Sequence, residues 1–248
     1  MILSPLLSVI VLFVGALIGG VGIGGVLLVP SLNYFGGIPI HGAIAACMVG
    51  YIITGAVGAI IYARHGTINW SLAGWVCLGA IPGAYFGAFL LPFFSSQVLE
   101  FIIGLLIVAS GIQSLRGMTD TQENKNLKNG IRLLVIGFVA GVGSSLTGTG
   151  GPLMLIPILM WCKAPVLTAI GLSQVIQIPI SLMATLGNYV HGEVDFKLGL
   201  TLAVLLAIGS FVGAKTAHML PISFLKKLVS VLLVGVGTMM LVRLILQL

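Results

Sequence analysis

The chain has 248 residues, of which 58% are hydrophobic and only 6% are charged, and its formal net charge is +6. About a quarter of the residues of a soluble domain are charged, so this composition excludes a soluble globular protein and predicts an integral membrane protein. The basic residues lie between apolar segments, a pattern that orients membrane proteins rather than one that binds nucleic acid. We therefore expect the lipid bilayer, and no nucleic acid, among its partners.

Eight apolar segments follow one another, at residues 5–36, 40–63, 68–91, 97–115, 131–161, 165–189, 196–218 and 223–247. Most have the length of about 20 residues that crosses a hydrocarbon core of about 30 Å. A polar stretch after the fourth segment predicts three parts: a first transmembrane repeat at 1–115, a cytoplasmic linker at 116–130 and a second transmembrane repeat at 131–248. The predicted fold class is an all-α polytopic membrane protein.

The two halves share glycines, prolines and histidines at a constant separation of 126 positions. The matched pairs are Gly15 and Gly141, Gly22 and Gly148, Pro39 and Pro165, His65 and His191, Gly83 and Gly209, and Gly87 and Gly213. Duplicated halves are the usual plan of secondary transporters. The sequence therefore predicts two repeats of four hydrophobic segments each.

The first segment of each half carries a glycine break. Residues 19–25 contain the pattern G-x-G-x-G-G before Pro30, and residues 144–151 contain its counterpart before Pro157. As one helix, residues 5–36 would be roughly 48 Å long, too long for one span and too short for two. Two half-helices that enter and return would leave three full spans per half, and the second repeat would then be inverted.

The Lys and Arg residues favour this inverted arrangement. If the first and fifth segments re-enter, nine basic residues lie on the linker side and only Lys197 and Arg243 lie opposite. If all eight segments cross, the split is seven to four. Because basic residues accumulate in the cytoplasm, we expect re-entrant hairpins and a cytoplasmic linker.

The breaks are the candidate binding site. The second half of an interrupted helix begins with unpaired N–H groups at the positive end of its dipole, which is an anion site without a charged side chain. Close helix packing is the alternative role of such glycines. Together with nearby polar residues, the substrate-binding candidates are Gly22, Gly24, Gly25, Asn33, Ser144, Ser145, Thr147, Thr149, Gly150, Gly151, Ser173, Gln174 and Gln177.

Other polar residues point to structural roles. Gln174 and Gln177 lie in an apolar segment, so they should face a partner or a cavity. His65 and His191 lie in matched turns, where Asn69 and Asp195 are expected to cap the next helix. No HExxH pattern or carboxylate cluster predicts a metal site, and we expect no catalytic residue, metal or cofactor.

Several features together resemble the TauE/SafE family of sulfite and organosulfonate exporters. They are the duplicated G-x-G-G…P break, the stretch Gly37-Ile38-Pro39, the turns at His65-Gly66 and His191-Gly192, and the matched glycines of the third segment of each half. This resemblance implies transport of a small sulfur-containing or organic anion across the bacterial inner membrane. The pair Cys47-Met48 departs from the Thr-Ser-type pair of that family, whereas Ser173 keeps the serine.

The predicted function is therefore secondary transport of a small anion such as sulfite or an organosulfonate, by a multi-pass protein of the inner (plasma) membrane. A passive anion channel would use the same helix-end site and is the alternative. An intramembrane hydrolase is disfavoured because no G-x-S-x-G pattern surrounds Ser144 or Ser145. The exact anion, a coupling proton or ion, and a homodimeric assembly are left open by the sequence.

Overall fold

The computed structural model describes residues 4–22, 24–115, 130–162, 166–217 and 222–246. These residues form ten α-helices and two short 3₁₀ turns and contain no β-strand. The helices are α1 (Pro5–Val21), α2 (Leu28–Gly36), α3 (Ile40–Arg64), α4 (Trp70–Leu90), α5 (Ser96–Leu115), α6 (Gly130–Thr147), α7 (Pro152–Trp161), α8 (Val166–His191), α9 (Phe196–Ala217) and α10 (Ile222–Leu246). The all-helical prediction is confirmed. Of the predicted linker, residues 116–129 lie outside the described ranges, as does Pro165.

Five of these helices are long and apolar enough to cross a membrane by themselves. They are α3, α4 with the 3₁₀ turn that follows it, α6, α8 and α9, whereas parts of α1, α2, α5 and α10 form shorter apolar helices. Large apolar side chains such as Trp70, Phe196 and Phe211 are exposed on the outside of the bundle. Such a surface is suited to lipid, because a soluble protein rarely exposes extended apolar patches.

The first segment of each half is interrupted where the glycines predict it. Helix α1 ends at Val21, a 3₁₀ turn occupies Gly25–Leu27, and α2 begins at Leu28. In the second half α6 ends at Thr147, and α7 begins at Pro152. The helix-ending residues Gly22 and Gly148, which are 126 positions apart, both have a positive φ, of 79° and 68°. Glycine adopts this conformation without the steric cost that a Cβ brings.

The pieces α1 and α2 form an antiparallel hairpin. Gly36 at the end of α2 lies beside Leu7 at the start of α1, since a Cβ on Gly36 would be 3.2 Å from Leu7 Cδ2. Gly24 lies against Leu17 and Ile18, near the other end of α1. The chain therefore turns back at the first break, and α2 ends at the level where α1 begins.

Helices of opposite halves cross closely, and their contacts repeat with the same separation of 126. A Cβ on Gly83 of α4 would be 2.3 Å from the carbonyl O of Phe138 in α6, and one on Gly209 of α9 would be 2.2 Å from that of Leu12 in α1. Gly87 likewise meets Val142, which corresponds to Gly213 meeting Ala16. In both pairs of helices, the contact residue moves towards the C-terminus of one helix as it moves towards the C-terminus of the other. Helix α4 therefore runs parallel to α6, and α9 runs parallel to α1.

The remaining helices complete the bundle. Helix α5 packs against α10, and the central pair α3 and α8 packs against both crossing pairs. Helices α3 and α8 run antiparallel, because Gly55 faces Gln177 whereas Gly58 faces Gln174. The expected caps are present: the side chain of Asn69 accepts a hydrogen bond from Leu72 N–H at 3.3 Å and that of Asp195 from Leu198 N–H at 2.9 Å.

The connections define two ends of the bundle. Helices α3 and α5 end, and α4 and α6 begin, at the end where residues 116–129 join the halves, here called the linker end. The opposite end, here called the distal end, holds the starts of α3, α5 and α9 and the last turns of α4, α8 and α10. His41 Nε2 contacts the carbonyl O of Phe94 there at 3.0 Å, and the guanidinium of Arg243 lies 4.6 Å from the centre of the Tyr34 ring.

Candidate functional site

The two helix breaks meet inside the bundle, and Tyr51 of α3 lies between them. A Cβ on Gly25 of the first break would be 3.1 Å from the carbonyl O of Thr149 in the second break. The Tyr51 hydroxyl donates a 2.6 Å hydrogen bond to the carbonyl O of Gly25, and Gly150 lies against the Tyr51 ring. The breaks, which are 126 residues apart in the sequence, therefore form one continuous site.

Helix α8 closes this site with two buried glutamines. Gln174 Nε2 donates a 3.2 Å hydrogen bond to the carbonyl O of Ile18 at the end of α1, and its Oε1 is buried without a hydrogen-bond partner. Gln177 Oε1 is also buried without a partner, and its Cα lies near Gly151. An uncompensated amide oxygen in this environment costs free energy, and because it is an acceptor it can bind water or an O–H or N–H group of a ligand, but not an anionic oxygen.

The hydroxyl groups of the second break fall into two classes. Thr147 Oγ1 donates to the carbonyl O of Gly143 at 2.7 Å and contacts Thr149 Oγ1 at 3.0 Å, so the threonines are engaged with each other and with the helix. Ser144 Oγ and Ser145 Oγ are fully buried and have no partner. The two serines therefore keep free donors directly before the break.

Two of the predicted site residues have local partners. Ser173 is buried near the glutamines, but its hydroxyl donates to the carbonyl O of Ile170 at 2.7 Å. Asn33 lies in the last turn of α2, where its Nδ2 donates to the carbonyl O of Ile38 at 2.9 Å. The structure thus brings together the glycines of both breaks, the hydroxyls of the second break and the residues of α8, whereas Asn33 supports the turn between α2 and α3.

Sequence reasoning missed several features of the site. Pro152, which has no N–H group, begins α7 and suits the first position of a helix. Tyr51 is not among the substrate-binding candidates from the sequence, although it joins both breaks. Ser181, Thr185 and Asn188 continue the buried polar face of α8 beyond Gln177, and each has a buried side-chain atom without a partner. Each follows the preceding polar residue of this face by three or four positions, and this helical spacing is the signal that would have found them.

The site is polar but carries no ionised side chain. Residues 5–36, 133–162 and 166–190, which supply both breaks and α8, contain no Asp, Glu, Lys or Arg. Helices α2 and α7 both begin at the breaks, so their positive dipole ends point there. The N–H groups of Leu27 and Leu28 already donate to the carbonyl O atoms of Gly24 and Gly25, and those of Met154 and Leu155 donate to that of Gly151. Among the described residues no cluster of His, Cys, Asp and Glu is suited to hold a metal ion. This arrangement can hold an anion through helix dipoles, N–H groups and hydroxyls.

Comparison with known proteins groups the chain with membrane transporters. A family model described as "Sulfite exporter TauE/SafE" matches residues 7–240. A Bacillus subtilis protein, "Probable membrane transporter protein YdhB", is 27% identical over 89% of this chain and 94% of its own length. Proteins of the same description from Methanocaldococcus jannaschii and Xylella fastidiosa are 26% and 27% identical over 97% and 85% of the chain, and 96% and 82% of their own lengths. No solved structure matches the chain.

Proposed function

The chain belongs to the sulfite exporter TauE/SafE family of membrane transporters, and we propose that it is a secondary transporter of a small oxyanion such as sulfite or an organosulfonate. It is a multi-pass protein of the plasma membrane. The helix breaks hold the anion, and the two halves of the chain rock against each other to expose the site to one side of the membrane at a time.

The observation that carries this proposal is the meeting of both breaks beside unpaired buried groups. The starts of α2 and α7 bring two positive helix ends to one place, where Gly25 touches the backbone of Thr149. Ser144 Oγ and Ser145 Oγ are free to donate to oxyanion oxygens there. Such donors are worth more inside a protein than in water, because the local dielectric constant is low.

The helix directions support an inverted duplication. Since α1 and α2 form a hairpin, α3 begins at the level where α1 began, and α4 runs antiparallel to α1. Helix α6 is parallel to α4, so it runs opposite to its counterpart α1. Inverted repeats are typical of transporters whose two halves exchange roles between the inward-open and outward-open states.

The charges support one orientation in the membrane. Arg64, Arg132 and Lys215 lie at the linker end, whereas Lys197 and Arg243 lie at the distal end. Counted over the whole sequence, nine of the eleven basic residues belong to the linker side. By the positive-inside rule we place the linker end in the cytoplasm and the distal end outside.

Thermal unfolding of the purified protein against a panel of anions tests this proposal. The panel contains sulfite, sulfate, thiosulfate, sulfoacetate, taurine, acetate and chloride. A ligand at about 100 times its Kd stabilises the folded state by about 2.7 kcal/mol, so we expect a selective rise in Tm with sulfur oxyanions.

Matched variants locate the binding site. Ser144→Ala and Ser145→Ala should reduce the anion-dependent shift, because both hydroxyls are without a partner. Thr54→Val should not, because the buried hydroxyl of Thr54 already donates to the carbonyl O of Gly50. No shift with any anion would contradict the proposal. In proteoliposomes, anion flux without saturable counter-flow would indicate a channel instead of a transporter.

A further inference from the structure

Helix α8 carries a line of five polar residues that extends from the helix breaks to the distal end. We propose that this line, the α8 polar stripe (Gln174, Gln177, Ser181, Thr185 and Asn188), lines the outer half of the anion's route and that the interface between α3 and α8 is the outer gate. This inference rests on the proposed transport function and adds a route and a gate to it.

The spacing of the stripe places its members on one side of α8. The intervals are three, four, four and three residues, which align side chains along one face of a helix. From Gln174 to Asn188 the helix rises about 21 Å at about 1.5 Å per residue, a large part of a hydrocarbon core of about 30 Å. Leu182 and Leu186, which face away from the stripe, are 44% and 47% exposed and form the lipid-facing side.

Four members of the stripe are buried and Thr185 is half-buried, and each of the five has a buried polar side-chain atom without a partner. Hydroxyls in membrane helices usually donate to the carbonyl group four residues earlier, as Ser31, Thr54 and Thr147 do here. Ser181 Oγ and Thr185 Oγ1 do not make this hydrogen bond and have no other partner. Five such groups in one line are costly in lipid or in protein, and the cost is removed when water or a ligand reaches them.

Small residues of α3 allow the stripe to close. A Cβ on Gly58 would be 2.2 Å from Gln174 Oε1, and one on Gly55 would be 3.1 Å from Gln177 Cβ. Helix α3 belongs to the first repeat and α8 to the second, so their contact is one of several interfaces between the repeats. The structure shows this interface closed, and separation of α3 from α8 would expose the stripe.

A cavity lies at the outer end of the stripe. It has a volume of about 440 Å³, within the range of small-molecule sites, and its lining includes Pro39, Gly42, Pro92, Asn188, Glu193 and Asp195. Asn188 is 2% exposed, and its Nδ2 has no partner. The stripe thus joins the helix breaks to a cavity between the first turns of α3, the 3₁₀ turn that follows α4, and the segment from the last turn of α8 to the start of α9.

The charges of this cavity favour release of an anion over its capture. Glu193 and Asp195 line it together with His41, and its lining contains no Lys or Arg. Carboxylates repel an approaching anion and lower its local concentration. An outer gate that opens into this cavity is therefore suited to an exit.

Cysteine accessibility tests the route. The native Cys47, Cys77 and Cys162 are first replaced by alanine, and retained anion flux is required of this background and of every variant. Single cysteines are then placed by Ser181→Cys, Thr185→Cys and Asn188→Cys, with Leu182→Cys and Leu186→Cys as lipid-facing controls on the same helix. Intact cells are treated with the membrane-impermeant anion 2-sulfonatoethyl methanethiosulfonate, which modifies the thiolate form of cysteine.

We expect the stripe positions to be modified at least about tenfold faster than the controls, since a thiol in an apolar environment does not ionise. Asn188→Cys should react faster than Ser181→Cys, and sulfoacetate should slow modification at both positions. Equal rates on both faces, or modification of Asn188→Cys alone, would overturn the proposal. Where a cysteine variant loses flux, Ser181→Ala and Thr185→Val replace it, and unchanged flux in both of these would also contradict the route.

The same experiment separates this inference from the proposed function. If the wild-type protein shows neither flux nor a Tm shift with any anion, the proposed anion transport fails, whatever the labelling shows. If flux is present but the stripe is not accessible, the function stands and the route is wrong.

Discussion

The central helices α3 and α8 occupy corresponding places in the two halves but present different chemistry. The α8 polar stripe contains Gln174, Gln177, Ser181, Thr185 and Asn188, and the residues 126 positions earlier on α3 are Met48, Tyr51, Gly55, Ala59 and Tyr62. Two of the α3 residues are small and two others are aromatic. The first half thus supplies space, shape and a Tyr51 hydroxyl that is already bonded to Gly25, whereas the second half supplies the hydrogen-bonding groups that have no partner.

The two breaks differ in the same way. Gly22 and Gly148 end their helices with the same backbone conformation, and the crossing helices repeat their contacts. However, Ser144 and Ser145 correspond to Ile18 and Gly19, which have no hydroxyl. The comparison suggests that the duplicated backbone sets the topology and that the second copy carries most of the binding chemistry. Four predictions test this division.

The largest effect is expected where the two backbones cross. Gly83→Val and Gly209→Val each place a side chain about 2 Å from a carbonyl oxygen of the partner helix, which only a backbone shift can relieve. Overpacking costs about 1–3 kcal/mol where side chains can adjust, so we expect at least about 3 kcal/mol and little folded protein. The yield of monodisperse protein and its Tm measure the effect.

Gly74→Ala is the matched control on α4, because a Cβ at Gly74 meets nothing within 4 Å. Both crossings should respond alike. If Gly209→Val folds normally and Gly83→Val does not, the two crossings do not contribute equally to stability. The conclusion that the duplicated backbone sets the topology of both halves would then be wrong.

A large loss of transport is expected when the second half is made to resemble the first. Gln174→Met introduces the residue found at position 48, removes the hydrogen bond to Ile18 and removes the free amide oxygen. The lost hydrogen bond holds the end of α1 at the first break, and its removal leaves the carbonyl O of Ile18 buried without a donor, at a cost of about 1–3 kcal/mol. Because the first break is then less well positioned to bind the anion, we expect the anion flux to fall about tenfold or more. Flux is measured in proteoliposomes at matched protein density.

Leu182→Met is the control on the lipid-facing side of α8 and should leave flux unchanged. Equal flux in the wild type and in Gln174→Met would show that the polar chemistry of α8 is not required for transport. The division of roles between the halves would then fail, although the fold would be unaffected.

How far the sequence predicts this molecule depends on which feature is considered. The eight apolar segments match the helices closely, because hydrophobic length is set by the bilayer, and the breaks fall at Gly22 and Gly148. Of the α8 polar stripe, the sequence predicts only Gln174 and Gln177 as site residues. Ser and Thr are common in membrane helices, and only the structure shows that the hydroxyls of Ser181 and Thr185 have no hydrogen-bond partner. The structural role of Asn33 depends on a contact with Ile38, which the residue type alone does not reveal.

A smaller effect is expected at the second break, where the stability without ligand and the stabilisation by the anion should change in opposite directions. Ser144→Ala and Ser145→Ala remove buried hydroxyls without partners, so the free energy of unfolding without ligand should stay the same or rise by about 1 kcal/mol. The anion-dependent rise in Tm should shrink, because a donor to the ligand is lost. A loss of stability with an unchanged anion effect would assign these serines to packing.

The smallest effect is expected at the caps, where the halves are alike in chemistry as well as in backbone. Asn69 and Asp195 each accept a hydrogen bond from the N–H group three residues later, so Asn69→Ala and Asp195→Ala should each cost about 1 kcal/mol. Asn69 lies at the linker end, away from the cavity, and its substitution should leave flux unchanged. Asp195 also lies at the cavity edge, where loss of a carboxylate should increase anion capture from that side. If both variants lose the same Tm and only Asp195→Ala changes uptake, the second copy has added a function to a structural role that both copies share. If transport is identical in both variants, Asp195 acts only as a helix cap.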